Sequence, residues 1–305
     1  MVNWRGRRKS RNVIDVRGQS SGRGRMRMPT GRGAKLGGGV GTVGIIIAVV
    51  MFLMGGDPMQ ILSFLLGGGG GGTPTVQVPS GPTQSGPVGN DEGANFMSTV
   101  LADTEETWGR LFREAGSTYP EPKLVLFSDQ VQSACGFASA AGGPFYCPGD
   151  KRLYLDLSFF RQLEQLGAPG DFAQAYVIGH EVGHHVQTVI GTIQRAQQLK
   201  GRVSQADANA VQVLVELQAD CYAGVWAHHA ENRRDLLERG DLEEGLQAAS
   251  SIGDDALQRR SGRQIRPESF THGTSQQRMK WFRRGFDTGR VDQCDTFADA
   301  GVNLR

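Results

Sequence analysis

Apolar and polar positions alternate along this chain with three distinct periods, and each predicts a different element. From Leu36 to Gly56 no charged residue occurs, and the centre, Val43 to Met54, is almost purely apolar. At about 1.5 Å per residue, a helix of that length spans roughly 31 Å, enough to cross a hydrocarbon core. A second short apolar run, Met59 to Leu66, is too short to span. Further on, Phe96, Val100, Leu101, Trp108, Leu111 and Phe112 recur at helical spacing up to Gly116. Pro120 and Pro122 interrupt that pattern, and Lys123 to Phe127 reads as a strand. Gly143 to Cys147 and Arg152 to Asp156 form the arms of an expected hairpin around Pro148-Gly149-Asp150. Helical patterns follow from Ser158 to Leu166, from Asp171 (as cap) to Ile190, and from Asp207 to about Ala230. Two more are expected at 241–260 and 275–286. The fold class is therefore α+β, helix-dominated, with a small β-layer just ahead of the 171–190 helix and one transmembrane helix preceding the domain.

Composition divides the chain further. Before residue 40 there are eleven Lys and Arg residues against the single acid Asp15, while the rest carries 22 basic and 30 acidic residues. A basic tail by itself reads as a nucleic-acid arm. The apolar stretch directly after it favours a membrane instead, and no nucleic-acid partner is expected. A cleaved signal peptide is the rival reading of that stretch, but its charged region would be unusually long and no small-residue cleavage site follows. The expected organisation is a basic, disordered cytoplasmic tail (1–35), a transmembrane anchor (36–56), a Gly/Pro-rich linker (57–93) and a folded domain (94–305). By the positive-inside rule the tail stays in the cytoplasm and the domain lies beyond the inner membrane, periplasmic or extracytoplasmic. Cys135, Cys147, Cys221 and Cys294 all follow the anchor, and none forms C-x-x-C. Disulfides are expected, with Cys135–Cys147 and Cys221–Cys294 the preferred pairing of the three that four cysteines allow.

The chemistry concentrates in Tyr176-Val177-Ile178-Gly179-His180-Glu181-Val182-Gly183-His184-His185. His180 and His184 are four residues apart, so on a helix both imidazoles share one face and one Zn²⁺ can take both. Glu181 then lies beside an open coordination position as the general base. The apolar flanks make an unpartnered buried His and Glu costly. A third histidine in the spacing H-E-x-x-H-x-x-G-x-x-H is absent, because Gln187 and Ile190 occupy the positions concerned. Glu216 and Asp220, one turn apart on a largely apolar helix, are better placed: Glu216 as third ligand, Asp220 accepting the free N–H of a ligand histidine. His272 in a late loop is a further candidate, as donor to a developing oxyanion. Tyr154 is an outside candidate for the same role. His185 points away from the ligand face and reads as packed or surface. His228 and His229 are expected near the C-terminal dipole of their own helix.

H-E-x-x-H followed by E-x-x-x-D resembles the gluzincin arrangement of zinc peptidases. Together with Trp4-Arg5-Gly6-Arg7-Arg8, Gly143-Pro144-Phe145-Tyr146-Cys147-Pro148, Glu216-Leu217-Gln218-Ala219-Asp220-Cys221 and Thr271-His272-Gly273-Thr274, it is similar to the bacterial neutral zinc metallopeptidase family of YpfJ-like proteins. The resemblance implies a zincin-like, membrane-anchored zinc peptidase that acts on a peptide or protein substrate. Its mechanism would be hydrolysis by an activated water with Glu181 as base, the Arg152–Asp156 strand offering an edge to the substrate. The alternative is a membrane-tethered binding protein whose zinc site is structural or inactive.

Overall fold

The structure, a computed structural model, describes residues 2–18, 76–77 and 91–304. The expected anchor at 36–56 and most of the linker lie outside the described residues. Among those described, no helix is long and apolar enough to cross a membrane.

Seven short strands precede or interleave the helices: β1 (Val13–Asp15), β2 (Val76–Gln77), β3 (Lys123–Leu126), β4 (Gln130–Ser133), β5 (Gly136–Ser139), β6 (Phe145–Cys147) and β7 (Arg152–Leu155). The helices are α1 (Glu92–Glu114), α2 (Phe159–Gln165), α3 (Asp171–Val189), α4 (Thr192–Lys200), α5 (Gln205–Arg234), α6 (Asp241–Ser251), α7 (Asp254–Arg260), α8 (Ser275–Thr288) and α9 (Thr296–Asp299). The main sheet runs β1-β3-β7-β6, and a smaller one runs β2-β4-β5. β6 and β7 form the expected hairpin, Phe145 facing Tyr154 and Cys147 facing Arg152. The result is a helix-dominated α+β domain, and the helix boundaries follow ordinary capping chemistry. Asp91 accepts the Ala94 N–H to start α1, Ser204 accepts the Asp207 N–H to start α5, and Thr274 and Gln277 make a reciprocal capping box on α8.

Four expectations need correction. Residues 2–18 are not a disordered tail: β1 pairs in parallel with β3, and Val13 and Ile14 are 1% and 3% exposed. Trp4 meets Phe96 edge-on at 5.6 Å. Several of the arginines that make this segment look like a solvated tail are occupied: Arg7 donates to the carbonyls of Arg234 and Asp235, and Arg8 to that of Ala102. Asp171 does not cap α3. Gly170 is the cap, and the Asp171 carboxylate accepts the Val2 N–H at 2.7 Å. The helix expected at 241–260 breaks into α6 and α7 at Ile252-Gly253, because Gly253 passes so close to Ser275 that a Cβ there would lie 2.4 Å from its nitrogen. Finally, β7 is an inner strand, so the sheet edge is β6.

The buried core centres on α3, α5 and α8. Phe172 of α3 stacks on Trp226 of α5 at 6.0 Å, and Tyr176 meets Phe282 of α8 edge-on at 5.2 Å. At Gly183 the backbones of α3 and α5 nearly touch: a Cβ there would sit 2.9 Å from the Ala219 carbonyl oxygen. Cys135 is bonded to Cys147 and Cys221 to Cys294, the expected pairing. The second bond fastens α5 to the C-terminal segment one residue after Asp220.

Candidate metal centre and active-site cleft

The close approach of α3 and α5 decides what the two helices can build between them. α3 presents His180 and His184 one turn apart, and α5 brings Glu216 up to them. His180 Nε2 is 3.2 Å and His184 Nε2 3.4 Å from Glu216 Oε2. One donor atom from each of the three lies within 4.8 Å of the others, the spread expected of ligands around a single ion. Two imidazole nitrogens and one carboxylate oxygen form a donor set that suits Zn²⁺ and leaves a coordination position open. The charges within this cluster answer one another. Burial alone would lower the His180 pKa, but Asp220 and Glu216 raise it to about 9. Burial likewise works against the Glu216 carboxylate, yet His184 and His180 hold it well below the usual range.

Each histidine is aimed by a partner on its other nitrogen. His180 Nδ1 lies 2.9 Å from Asp220 Oδ1, a contact that fixes Nε2 toward the centre. Asp220 is itself clamped: Arg278 of α8 donates to both its oxygens, through Nε at 2.8 Å and Nη2 at 2.9 Å, and the Tyr176 hydroxyl also donates to it. Burial would raise the Asp220 pKa, but the Arg278 guanidinium brings it down to about 2. His184 Nδ1 lies 2.9 Å from Gln187 Oε1. The Gln187 amide donates in turn to the Val215 carbonyl at 2.8 Å and to Gln218 Oε1 at 3.1 Å. Gln218 donates to the Cys294 carbonyl at 3.0 Å.

Glu181 follows His180 and faces the cleft rather than the ligand cluster. No hydrogen bond or ion pair from the described residues engages its carboxylate. Burial raises its pKa, opposed by His184 and His180, which favours a group that exchanges a proton. The cleft, about 600 Å³, is bordered by this glutamate, the ligand trio, the β6 strand and its Gly143-Pro144 approach, α4 and His272. His272 Nδ1 sits 3.2 Å from Asp254 Oδ1, while Asp254 Oδ2 accepts the backbone N–H groups of Thr271, His272 and Gly273. Burial would lower the His272 pKa, but Asp254 and Glu216 raise it.

Other sequence candidates fall elsewhere. The Tyr154 hydroxyl donates to Asp150 at 2.6 Å and its ring stacks on Phe145 at 4.7 Å, so Phe145 borders the cleft and Tyr154 behind it does not. Tyr146, the neighbour of Phe145 on the edge strand, also borders the cleft. Its hydroxyl is 3.1 Å from His185 Nδ1, and His185 Nε2 donates to the Pro120 carbonyl at 2.6 Å, so His185 is a fully buried strut. His228 and His229 do not serve the end of their own helix. They bond the Phe286 and Gly289 carbonyls at the end of α8. Arg278, Tyr176 and Gln187 were not singled out from the sequence. Only Gln187, three residues after His184 and so on its face, carried a local signal.

An H-E-x-x-H helix completed by a glutamate from a second helix, with each histidine braced from behind, is an arrangement that fits a zinc metallopeptidase domain. The chain belongs to the family described as "Putative neutral zinc metallopeptidase", which it matches over residues 2–297. It is 46% identical to the uncharacterized protein YpfJ of Escherichia coli strain K12 over 97% of this chain and 99% of that protein. It is 44% identical to the uncharacterized protein Mb2605 of Mycobacterium bovis, over 60% of this chain and 65% of that one. Rv2575 of Mycobacterium tuberculosis is similar to the same extent. No solved structure matches the chain.

Proposed function

We propose that the protein is a zinc-dependent endopeptidase, attached to a membrane through residues 36–56. The observation that carries the catalytic reading is Glu181: a buried carboxylate in the cleft, beside the trio but outside it, with no partner among the described residues. His180, His184 and Glu216 would hold the metal, with Asp220 and Gln187 aiming the two imidazoles. Zinc, when bound, supplies a Lewis acid that polarises a carbonyl oxygen and acidifies a water. Glu181 takes the proton of that water on its carboxylate and returns it to the departing amine nitrogen. His272, held at Nδ1 by Asp254, has Nε2 left to donate to the carbonyl oxygen as negative charge develops there. The free edge of β6 pairs with the extended backbone of the substrate.

A purely structural zinc site, the non-enzymatic alternative, commonly fills all four positions with protein donors and needs no base. The cluster described here has three. The test is Glu181→Gln. Its zinc content should match that of the wild type while hydrolysis of a peptide mixture falls at least about 100-fold, the scale of general-base catalysis. Undiminished hydrolysis would show that the chemistry lies elsewhere.

A further inference from the structure

We propose that Lys200 makes the cleft selective for a carboxylate carried by the substrate, an inference that rests on the peptidase reading above. α4 turns Ile193, Ala196, Gln197 and Lys200 toward the cleft, the spacing of a single helix face. This wall is apolar at its start and ends in one ammonium group. Lys200 Nζ donates to Gln212 Oε1 at 2.7 Å, and Gln212 Nε2 donates to Glu216 Oε1 at 2.8 Å. The ammonium therefore stands two hydrogen bonds from the metal centre, held by a neutral amide that takes one of its three protons. Among the described residues no carboxylate lies within ion-pair distance of it. Arg278, the other Lys or Arg side chain bordering the cleft, is committed to Asp220. The Glu216 charge is committed to the two imidazoles. A half-buried ammonium with spare donors at the end of an apolar wall lacks one thing, an anion from outside, and the one a peptide can bring is a carboxylate. Its source is an Asp or Glu side chain near the cut, or the C-terminus of the substrate.

The experiment uses the zinc-loaded full-length protein and two matched peptide series, one with Glu against Gln at successive positions around the cut, the other with free against amidated C-termini. In one series the wild type should favour the carboxylate by about tenfold or more in kcat/KM, the scale of a charge-assisted hydrogen bond, and that series identifies the source. Lys200→Gln should bring the ratio near one, and Lys200→Glu should invert it in favour of the uncharged member of the pair. Because the readout is a ratio, a general loss of activity in a variant cancels. Ratios near one in the wild type, or a preference that survives Lys200→Glu, overturn the inference while leaving the peptidase reading intact. If no peptide is cut at all, the peptidase reading itself falls. Calorimetric titration with two peptide hydroxamates that differ by Glu for Gln reads the same selectivity without turnover, and equal affinities overturn the inference there too.

A different observation carries a second inference. We infer that residues 2–18 and the catalytic domain lie on the same side of any membrane, not on opposite sides as the charge asymmetry leads one to expect. β1 is hydrogen-bonded along β3, Asn3 N donates to the Leu236 carbonyl at 2.8 Å, and Ser10 and Asn12 both donate to Glu105. The end of the N-terminal segment touches the start of α1: Arg17 Nη1 donates to Asp91 Oδ2 at 2.6 Å. A single crossing between them would part these groups by roughly 30 Å of hydrocarbon. The positive-inside count goes astray because Arg7, Arg8 and Arg17 are used by the fold. The test places single cysteines at the exposed positions Arg11 and Glu268 of the full chain, the native cysteines being disulfide-bonded. A membrane-impermeant maleimide applied to intact spheroplasts should label both or neither. Labelling of one alone overturns the inference.

Discussion

Gly183→Ala probes the assumption on which the whole site depends, that α3 and α5 touch backbone to backbone beside the ligands. The added Cβ would meet Ala219 at its carbonyl oxygen (2.9 Å), Cα (3.0 Å) and carbonyl carbon (3.3 Å), so the helices must part by a few tenths of an ångström. Gly183 adjoins His184, and Ala219 sits between Glu216 and Asp220, so the parting acts directly on the 3.4 Å separation of His184 and Glu216. Ligand distances are tolerated only within about 0.2 Å. Overpacking of this kind costs about 1–3 kcal/mol, and exchanging glycine for alanine within a helix returns about 1 kcal/mol. The net loss of stability is therefore small, about 0–2 kcal/mol. Zinc affinity should fall about 10- to 100-fold, as when a ligand's support is disturbed. Chelator competition measures the affinity and a thermal melt the stability. Gly109→Ala on α1, whose Cβ would meet only the mobile end of Arg113 at 3.4 Å, is the control. It should raise stability by up to about 1 kcal/mol and leave zinc binding alone. A Gly183→Ala protein that binds zinc as tightly as the wild type would refute the close approach.

The ligand order is tested by dialysis against a chelator. Glu216→Ala should come out empty and Asp220→Ala partly loaded, with a loss of roughly 10- to 100-fold in affinity; full zinc in Glu216→Ala alongside loss in His272→Ala would reassign the site. His272→Ala should lower kcat far more than it raises KM, and a pure KM effect would make it a binding residue only. His185 gives a pH signature. Burial depresses its folded pKa to about 4, against 6.5 when free. The neutral ring therefore contributes its full stability above pH 6.5, and that contribution drains away as pH falls from 6.5 to 4. By about pH 4 the loss reaches about 3 kcal/mol. Denaturant titrations of the wild type and His185→Gln across that range should converge on the acid side, and parallel curves would show that His185 is not buried neutral.

What could be read from the sequence and what could not divide along a physical line. His180, Glu181 and His184 announce themselves because helical periodicity places them together within one turn of a single element. Glu216 and Asp220 were legible for a different reason: acids on an apolar helix demand partners. Arg278 and Tyr176 had no such signal, since they meet Asp220 only after α3, α5 and α8 have packed, across 58 and 44 residues of chain. The β4–β5 hairpin was missed because Gln130-Val131-Gln132-Ser133 has one strongly apolar residue, and α4 because it is short and six of its nine residues are polar. Strand order is likewise non-local. The hairpin was visible, but that β7 lies inside and β6 outside depends on β3 pairing with β7. The segment 2–18 looked like a tail because its apolar residues are few, and its arginines show their purpose only against the carbonyls they meet.

The two ligand histidines are braced by devices of different chemical kind. Behind His180 stands a charged clamp, Asp220 gripped by Arg278, which exists only while the carboxylate stays ionised. Behind His184 stands a relay of neutral amides, Gln187 to Gln218 to the Cys294 carbonyl, in which no member titrates. Acid therefore acts unevenly on the pair. In strong acid, as pH approaches the Asp220 pKa near 2, the His180 brace fails while the His184 brace is still intact. Reduction of the Cys221–Cys294 bond works from the opposite end, freeing the segment on which the amide relay terminates and leaving the charged clamp untouched.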